Sequence, residues 1–196
     1  MKARSRHPLR TEAIALLKRL PLWQRVVLAG SCAVLLLVSA AFLLPSTWLI
    51  QRSVLIAAPP ARIYSLISDL RWWPRWTIWN RDLDPSLTVA FSTVKQGKGA
   101  VMRWWGDRVG DGSFEIVETV PERSLQYLFT LHSENFAFLG SFQLDLHPDG
   151  TLVTWQLFGD EGYNPFGRFF ALFLEESAGA SLETGLHRLQ RLCEAR

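Results

Sequence analysis

The sequence predicts an α+β fold, in which a curved antiparallel sheet wraps around a long C-terminal helix and one transmembrane helix precedes the sheet. Three observations predict it. Residues 26–44 are an unbroken apolar run without a charge. Six segments after residue 85 alternate polar and apolar residues and are separated by short turn sequences. The final segment, 164–196, instead repeats its apolar residues near a period of 3.6.

The run from Val26 to Leu44 has the length of a membrane-spanning helix. Its sequence, VVLAGSCAVLLLVSAAFLL, would extend about 28 Å as a helix, close to the thickness of a bilayer core. Trp23 and Trp48 stand outside its two ends, where indole rings favour the headgroup layer. We expect an uncleaved anchor. A cleaved signal peptide stays open as the alternative, because residues 38–40 (VSA) offer the small side chains that a peptidase prefers.

Charge is distributed unequally along the chain. The net charge is +3, but seven basic residues and one acidic residue give residues 1–25 a charge of +6, which leaves −3 for the rest. The positive-inside rule then predicts a single-pass protein of the inner membrane, with a cytoplasmic N-terminus and a periplasmic or extracytoplasmic C-terminal domain. An acidic body gives no support to nucleic-acid binding.

The same observations divide the chain into four predicted parts. They are a basic cytoplasmic leader (1–25), a transmembrane anchor helix (26–44), a linker (45–52) and a folded domain (53–196). A linker of about eight residues would hold the domain within about 30 Å of the bilayer. The membrane is therefore an expected partner, while the oligomeric state is left open.

The domain opens with a strand and a helix. RSVLIAA is rich in β-branched and apolar residues, which favours a strand. PPARIYSLISDL follows, and its two prolines suit the first turn of a helix. Ile63, Leu66, Ile67 and Leu70 then form one apolar stripe along that helix.

Four of the nine tryptophans lie in the next segment, DLRWWPRWTIWN. Pro74 prevents one continuous helix but suits the start of a second, short one. Trp72, Trp76 and Trp79 have the four- and three-residue spacing of a single helical face, which Trp73 does not share. We expect the first three to lie together over the mouth of a pocket.

Period-two alternation predicts an antiparallel meander of six strands: SLTVAFST, GAVMRWWG, GSFEIVETV, RSLQYLFTL, FAFLGSFQLDL and TLVTWQLFG. One face of the sheet is apolar along its whole length. Its residues are Met102, Trp104, Phe114, Ile116, Tyr127, Phe129, Leu131, Phe138, Val153, Trp155 and Leu157. The other face is polar, as expected of a sheet that packs on one side only.

The apolar stripe of the closing helix contains small side chains near its middle. Phenylalanines and leucines line most of the stripe, but Ala178, Ser181 and Gly185 interrupt it midway. Small side chains at these positions predict free space between the helix and the sheet.

The order of these motifs resembles the SRPBCC superfamily, which has the START-like helix-grip fold. It is most similar there to the membrane-anchored bacterial proteins called polyketide cyclase/dehydrase-like. The resemblance covers about residues 51–196 and rests on RSVLIAAPPARIYSLISDLRWWPRWTIW, GKGAVMRWWGD, GDGSFEIVETVPERSLQY, GTLVTWQLFGD, NPFGRFF and LETGLHRLQRL. It implies a cavity between the concave face of the sheet and the C-terminal helix, which different members use for sterols, lipids, plant hormones or polyketides.

Motifs for nucleophilic or metal catalysis are missing from the sequence. It contains no G-x-S-x-G, H-E-x-x-H or C-x-x-C motif and no phosphate-binding glycine-rich loop. Its four histidines are scattered, and its two cysteines exclude a disulfide framework. We therefore expect no metal, no cofactor and no catalytic residue beyond one weak candidate.

That candidate is Glu118. Regular alternation along GSFEIVETV would place it on the inward face with Phe114 and Ile116. A carboxyl group beside an apolar cavity would be desolvated, which would raise its pKa and suit it to proton transfer. A bulge in the strand, or a solvated position at the rim, is the alternative.

The aromatic residues predict function more strongly. We expect a hydrophobic small molecule or lipid to bind against one set of side chains: Trp72, Trp76, Trp79, Trp104, Glu118, Phe129 and Trp155. A plain packed core and contact with the membrane are alternative roles for the tryptophans. The alternative functions are a cyclase or dehydratase that uses the pocket carboxylate, and a ligand-free module for protein interaction.

Overall fold

The computed structural model describes residues 21–132 and 136–195, which form two compact units divided between Leu44 and Pro45. In the first unit, helix α1 (Leu22–Ala41) is 20 residues long, enough for about 30 Å of helix. Its length and apolar composition suit both a membrane anchor and a signal sequence. Most of the predicted basic leader, residues 1–20, lies outside the described part of the chain.

The second unit is built on a seven-stranded sheet, as its described residues show. All neighbouring strands are antiparallel, in the order β1-β7-β6-β5-β4-β3-β2. The strands are β1 (Thr47–Ile56), β2 (Thr88–Phe91), β3 (Val101–Gly106), β4 (Gly110–Val120), β5 (Ser124–Leu131), β6 (Phe136–His147) and β7 (Gly150–Asp160). Strands β2 to β7 form the predicted meander, and β1 adds to its far edge beside β7. The α+β prediction is confirmed.

Proline lies in the first turn of each α-helix of this unit. The helices are α2 (Pro60–Ser68), a 3₁₀ turn (Leu70–Trp72), α3 (Trp73–Trp76) and α4 (Pro165–Glu194). Proline fits a first turn because the missing N–H would have no partner there. At the start of α4 the side chain of Asn164 also accepts a hydrogen bond from the Phe166 N–H, at 3.1 Å.

The first strand begins earlier than the sequence predicts. Residues 47–52, assigned above to a linker, pair in register with β7. The pairing is favourable because alternate side chains of this segment turn inward, with Ile50 buried and Trp48 half-buried. Trp48 contacts Phe138 within the domain, at 5.9 Å between ring centroids.

The core lies on the apolar face of the sheet, as the alternation predicts. Trp73 is fully buried at its centre, with its ring centroid 4.8 Å from that of Phe114 and 4.9 Å from that of Tyr127. Its indole N–H donates to the Ile67 carbonyl at 2.9 Å, which satisfies the one polar group that burial removes from water. This side chain fixes α2 and α3 to the sheet.

A buried carboxylate organises the loop before β2. Asp84 accepts hydrogen bonds from the backbone N–H groups of Arg108 (2.8 Å) and Val109 (3.2 Å), and from both donors of Ser86. The Ser86 hydroxyl and these backbone donors lower the pKa of Asp84 to about 2. The loop 80–87 is thereby fastened to the turn between β3 and β4.

We expect Asp84→Asn to lower the melting temperature at neutral pH, because an amide cannot replace the charged acceptor. The folded pKa lies below the value near 3.9 of an unfolded chain, so the stabilisation is complete above that value and is lost as the pH falls toward 2. Thermal melts should therefore show a gap between wild type and variant that shrinks between pH 4 and pH 2. Asp82→Asn, an exposed neighbour, is the control. If the difference in melting temperature stayed constant over this pH range, the charged form of Asp84 would not be the source of the stabilisation.

Candidate functional site

A cavity of about 490 Å³ lies between the concave face of the sheet, the segment after α3 and the first half of α4. Its wall is mostly aromatic and aliphatic. The lining residues are Trp48, Thr77, Ile78, Trp79, Phe114, Tyr127, Phe129, Leu131, Phe136, Phe138, Trp155, Leu157, Glu161, Asn164, Phe166, Gly167, Phe170, Leu174, Ala178, Ser181 and Leu182. A cavity of this size and lining suits a small apolar molecule.

The cavity lies under the first half of α4, because the second half of the helix packs into the core. In its second half, Leu182, Leu186 and Leu189 are buried in the core. Gly185 lets the helix approach Trp155 closely, since a Cβ there would lie 2.7 Å from the Trp155 ring. Ser181 and Ala178, about one and two turns earlier, line the cavity. The prediction of free space is thus correct for Ala178 and Ser181, while Gly185 closes the gap.

The floor of the cavity is fixed by one hydrogen bond between two aromatic side chains. The indole N–H of Trp155 donates to the hydroxyl oxygen of Tyr127 at 2.8 Å. The Tyr127 ring lies over its cross-strand neighbour Gly140, where any Cβ would overlap it. Burial raises the pKa of Tyr127, so the phenol stays neutral.

Polar groups gather at the other end of the cavity, where β7 leads into α4. Glu161 is half-buried there, and its carboxylate accepts a hydrogen bond from the Trp48 indole N–H at 3.2 Å. Gly167 in the first turn of α4 leaves room for this carboxylate, which a Cβ would displace. Asn164 lines the same end. The cavity is therefore apolar along its length and polar at one end.

Three of the predicted binding residues line the cavity and two lie behind it. Trp79, Phe129 and Trp155 form part of the wall. Trp104 packs behind Trp79, with 4.9 Å between their ring centroids, and Trp76 lies 5.5 Å from Trp155. Both are fully buried, and their indole N–H groups have no hydrogen-bond partner among the described residues. They support the wall from within the core.

Trp72 does not share a face with Trp76 and Trp79, contrary to the spacing argument. Helix α3 ends at Trp76, and Thr77 is extended, so helical periodicity does not continue to Trp79. Trp72 lies outside the cavity lining, where the guanidinium carbon of Arg75 sits 4.6 Å from the centre of its ring. Trp73, which the spacing set apart, is instead the centre of the core.

For Glu118 the structure shows the alternative, a bulge in the strand, and not the inward position that regular alternation would give. A β-bulge between Ile116 and Glu118 shifts the register by one residue, so Glu118 pairs with Gln126 on the outer face and is exposed. Its carboxylate is therefore not desolvated against the cavity. Glu161 is the carboxylate that the fold places at the cavity wall.

Residues around the start of α4 were missing from the predicted set. Phe166 and Phe170 lie one turn apart on the helix and line the cavity with Glu161 and Asn164. The spacing within NPFGRFF was a signal for one aromatic face, but its orientation toward the sheet depends on where β7 delivers the chain. Strand β1 also contributes Trp48 to the wall, because β1 pairs with β7 at this end of the cavity.

Potential metal ligands and cysteines are dispersed among the described residues, where Cys32 is exposed and Cys193 is buried. No group of three or more His, Cys, Asp or Glu side chains among them comes close enough together to hold a metal ion. Cys193, near the C-terminal end of α4, is buried, and its burial raises the pKa of the thiol to about 11.

A family model described as "Polyketide cyclase / dehydrase and lipid transport" matches residues 47–194. The chain belongs to this family. The match begins at the first residue of β1 and ends with the last residue of α4, so the family domain includes Trp48 and the whole cavity. The SRPBCC resemblance is confirmed for the family domain, residues 47–194. No curated protein matches the chain.

Solved structures share the fold of the family domain at low sequence identity. A protein from Chromobacterium violaceum is 16% identical, with a TM-score of 0.55 over 76% of this chain and 98% of its own. The Aha1 dimer from Colwellia psychrerythraea is also 16% identical, with a TM-score of 0.53 over 76% and 97%. A protein of unknown function from Staphylococcus aureus is 8% identical, with a TM-score of 0.59 over 76% and 94%. These similarities show the fold alone.

Removing the hydroxyl group beneath the cavity should destabilise the domain. Tyr127→Phe leaves the buried indole N–H of Trp155 without an acceptor, which costs about 1–3 kcal/mol in the free energy of unfolding. Chemical denaturation of wild type and variant measures the difference. Tyr163→Phe is the matched control, because Tyr163 is exposed and should lose almost nothing. Equal losses in the two variants would show that the buried hydrogen bond contributes no stability.

Proposed function

We propose that the domain binds a hydrophobic small molecule or lipid in the cavity between the sheet and α4. The observation that carries the proposal is an aromatic-lined cavity of about 490 Å³ that α4 covers without filling. Trp79, Phe129 and Trp155 offer stiff apolar surface on the sheet side, and Phe170 and Leu174 offer it on the helix side. The lipid-transport element of the family description supports the same class of ligand.

The polar end of the cavity favours a ligand with one hydrogen-bonding end. The Glu161 carboxylate is an acceptor with two oxygens, and Trp48 already donates to one of them. A hydroxyl or amine group of the ligand matches this acceptor, whereas a carboxylate group would be repelled by it. The apolar remainder of the ligand would lie against the aromatic wall.

We further propose that α1 is an uncleaved anchor of a bacterial inner membrane, with residues 1–25 in the cytoplasm and the C-terminal domain in the periplasm. The apolar length of α1 and the +6 charge before it support this orientation. An anchored binding domain would stay beside the membrane, which is a source of apolar ligands.

Filling the cavity should abolish ligand retention. Ala178 lines the cavity, so Ala178→Phe would place a large ring in the space that the ligand needs. Ala180→Phe adds the same ring to the same helix at an exposed position and is the matched control. Native mass spectrometry of the full-length chain, released from detergent micelles, should show a bound molecule on wild type and control, reduced at least about tenfold on Ala178→Phe. Equal retention by all three proteins would contradict the proposal.

The orientation has its own test. A reporter enzyme that is active only in the periplasm, fused after Arg196, should be active. Mass determination of the membrane fraction should also find the chain with its leader still attached. A silent reporter would reverse the orientation, and a shortened chain released from the membrane would show that α1 is a signal sequence.

A further inference from the structure

A second concave site lies apart from the apolar cavity. It is an open cleft of about 950 Å³ bounded by α3, the loop after it, strand β2 and the C-terminal part of α4. Four arginines line it: Arg75, Arg81, Arg188 and Arg191. None of the residues of this cleft lines the apolar cavity.

The fold brings these four arginines together from three elements. Arg188 and Arg191 are three residues apart on α4 and therefore share one face of the helix. Arg188 donates to the Thr77 carbonyl at 3.2 Å, which ties α4 to the segment after α3. Arg81 donates to the Leu87 carbonyl at 3.4 Å from within the loop. Arg75 is held from α3 by its stacking on Trp72.

Their charge is only partly compensated within the cleft, which holds four arginines and one aspartate. Asp82 is the one acidic residue of the lining, and none of the four arginines lies within 4 Å of a carboxylate oxygen among the described residues. Elsewhere in the domain arginines do pair: Arg52 binds Glu175 and Glu183, and Arg71 binds Asp69. This concentration of positive charge in one cleft is unusual for the domain, because residues 26–196 together carry a net charge of −3.

We propose that this cleft binds a phosphate group. Converging guanidinium groups repel one another, and a bound anion with several oxygens removes that repulsion. Each guanidinium carries five N–H donors in a planar fork that matches phosphate oxygens in pairs, and the contacts with Thr77, Leu87 and Trp72 occupy few of them. Three or four positive charges favour a phosphate over a single carboxylate. This site is independent of what the apolar cavity holds.

The test compares two double variants of the full-length chain in a non-ionic detergent. Arg75→Gln with Arg191→Gln removes two exposed arginines of the cleft whose side chains make no hydrogen bond to the described residues. Arg103→Gln with Arg123→Gln removes the same charge at exposed positions outside the cleft. Calorimetric titration with pyrophosphate should show saturable binding to wild type and control, weakened at least about tenfold in the cleft variant. Binding to wild type should also weaken as the salt concentration rises.

A second measurement identifies the source of the phosphate. Native mass spectrometry of the same three proteins from mixed micelles containing phosphatidylglycerol or phosphatidylcholine counts the lipids retained. If the cleft variant retains less phosphatidylglycerol than wild type and the control, the bound phosphate belongs to a lipid headgroup. Pyrophosphate binding with equal lipid retention in all three proteins identifies a soluble phosphate compound. The proposal is overturned if neither probe binds saturably, or if the cleft variant and the control bind both probes equally.

Discussion

The hydrogen bond from Trp155 to Tyr127 is the contact on which the shape of the cavity depends. It requires Gly140, because any side chain there would occupy the space of the Tyr127 ring. It also fixes the Trp155 ring against Gly185 of α4, where a Cβ would lie 2.7 Å from the ring. This contact fixes the distance between α4 and the sheet. The open volume beside Ala178 depends on that distance.

The two halves of α4, on either side of this contact, border different concave surfaces. Its C-terminal half is buried through leucines and presents Arg188 and Arg191 to the basic cleft. Its N-terminal half covers the apolar cavity, and Phe166 and Phe170 there remain substantially exposed although they line it. One helix therefore separates an apolar site from a basic one. Exposed aromatic residues at the cavity end would stabilise a ligand or a neighbouring apolar surface.

Tryptophan has three different roles in the segment DLRWWPRWTIWN. Trp73 and Trp76 are core, Trp79 is cavity wall, and Trp72 holds Arg75 at the basic cleft. Proline at the second position of α3 makes this division possible, because it starts a helix of a single turn that ends at Trp76. A longer helix would have kept the spacing regular and placed these rings on one face.

The sequence by itself determined the α+β class, the order of the meander, the apolar face of the sheet and the family, because alternation and turn residues are local properties. Tertiary structure decided the remainder. A bulge turned Glu118 outward, strand pairing drew residues 47–52 into the sheet, and the path from β7 into α4 brought Glu161 to the cavity. These outcomes depend on pairing and packing between distant segments, which no local period encodes. The convergence of Arg75 and Arg81 with Arg188 and Arg191 is of the same kind, since more than 100 residues of chain separate the two pairs.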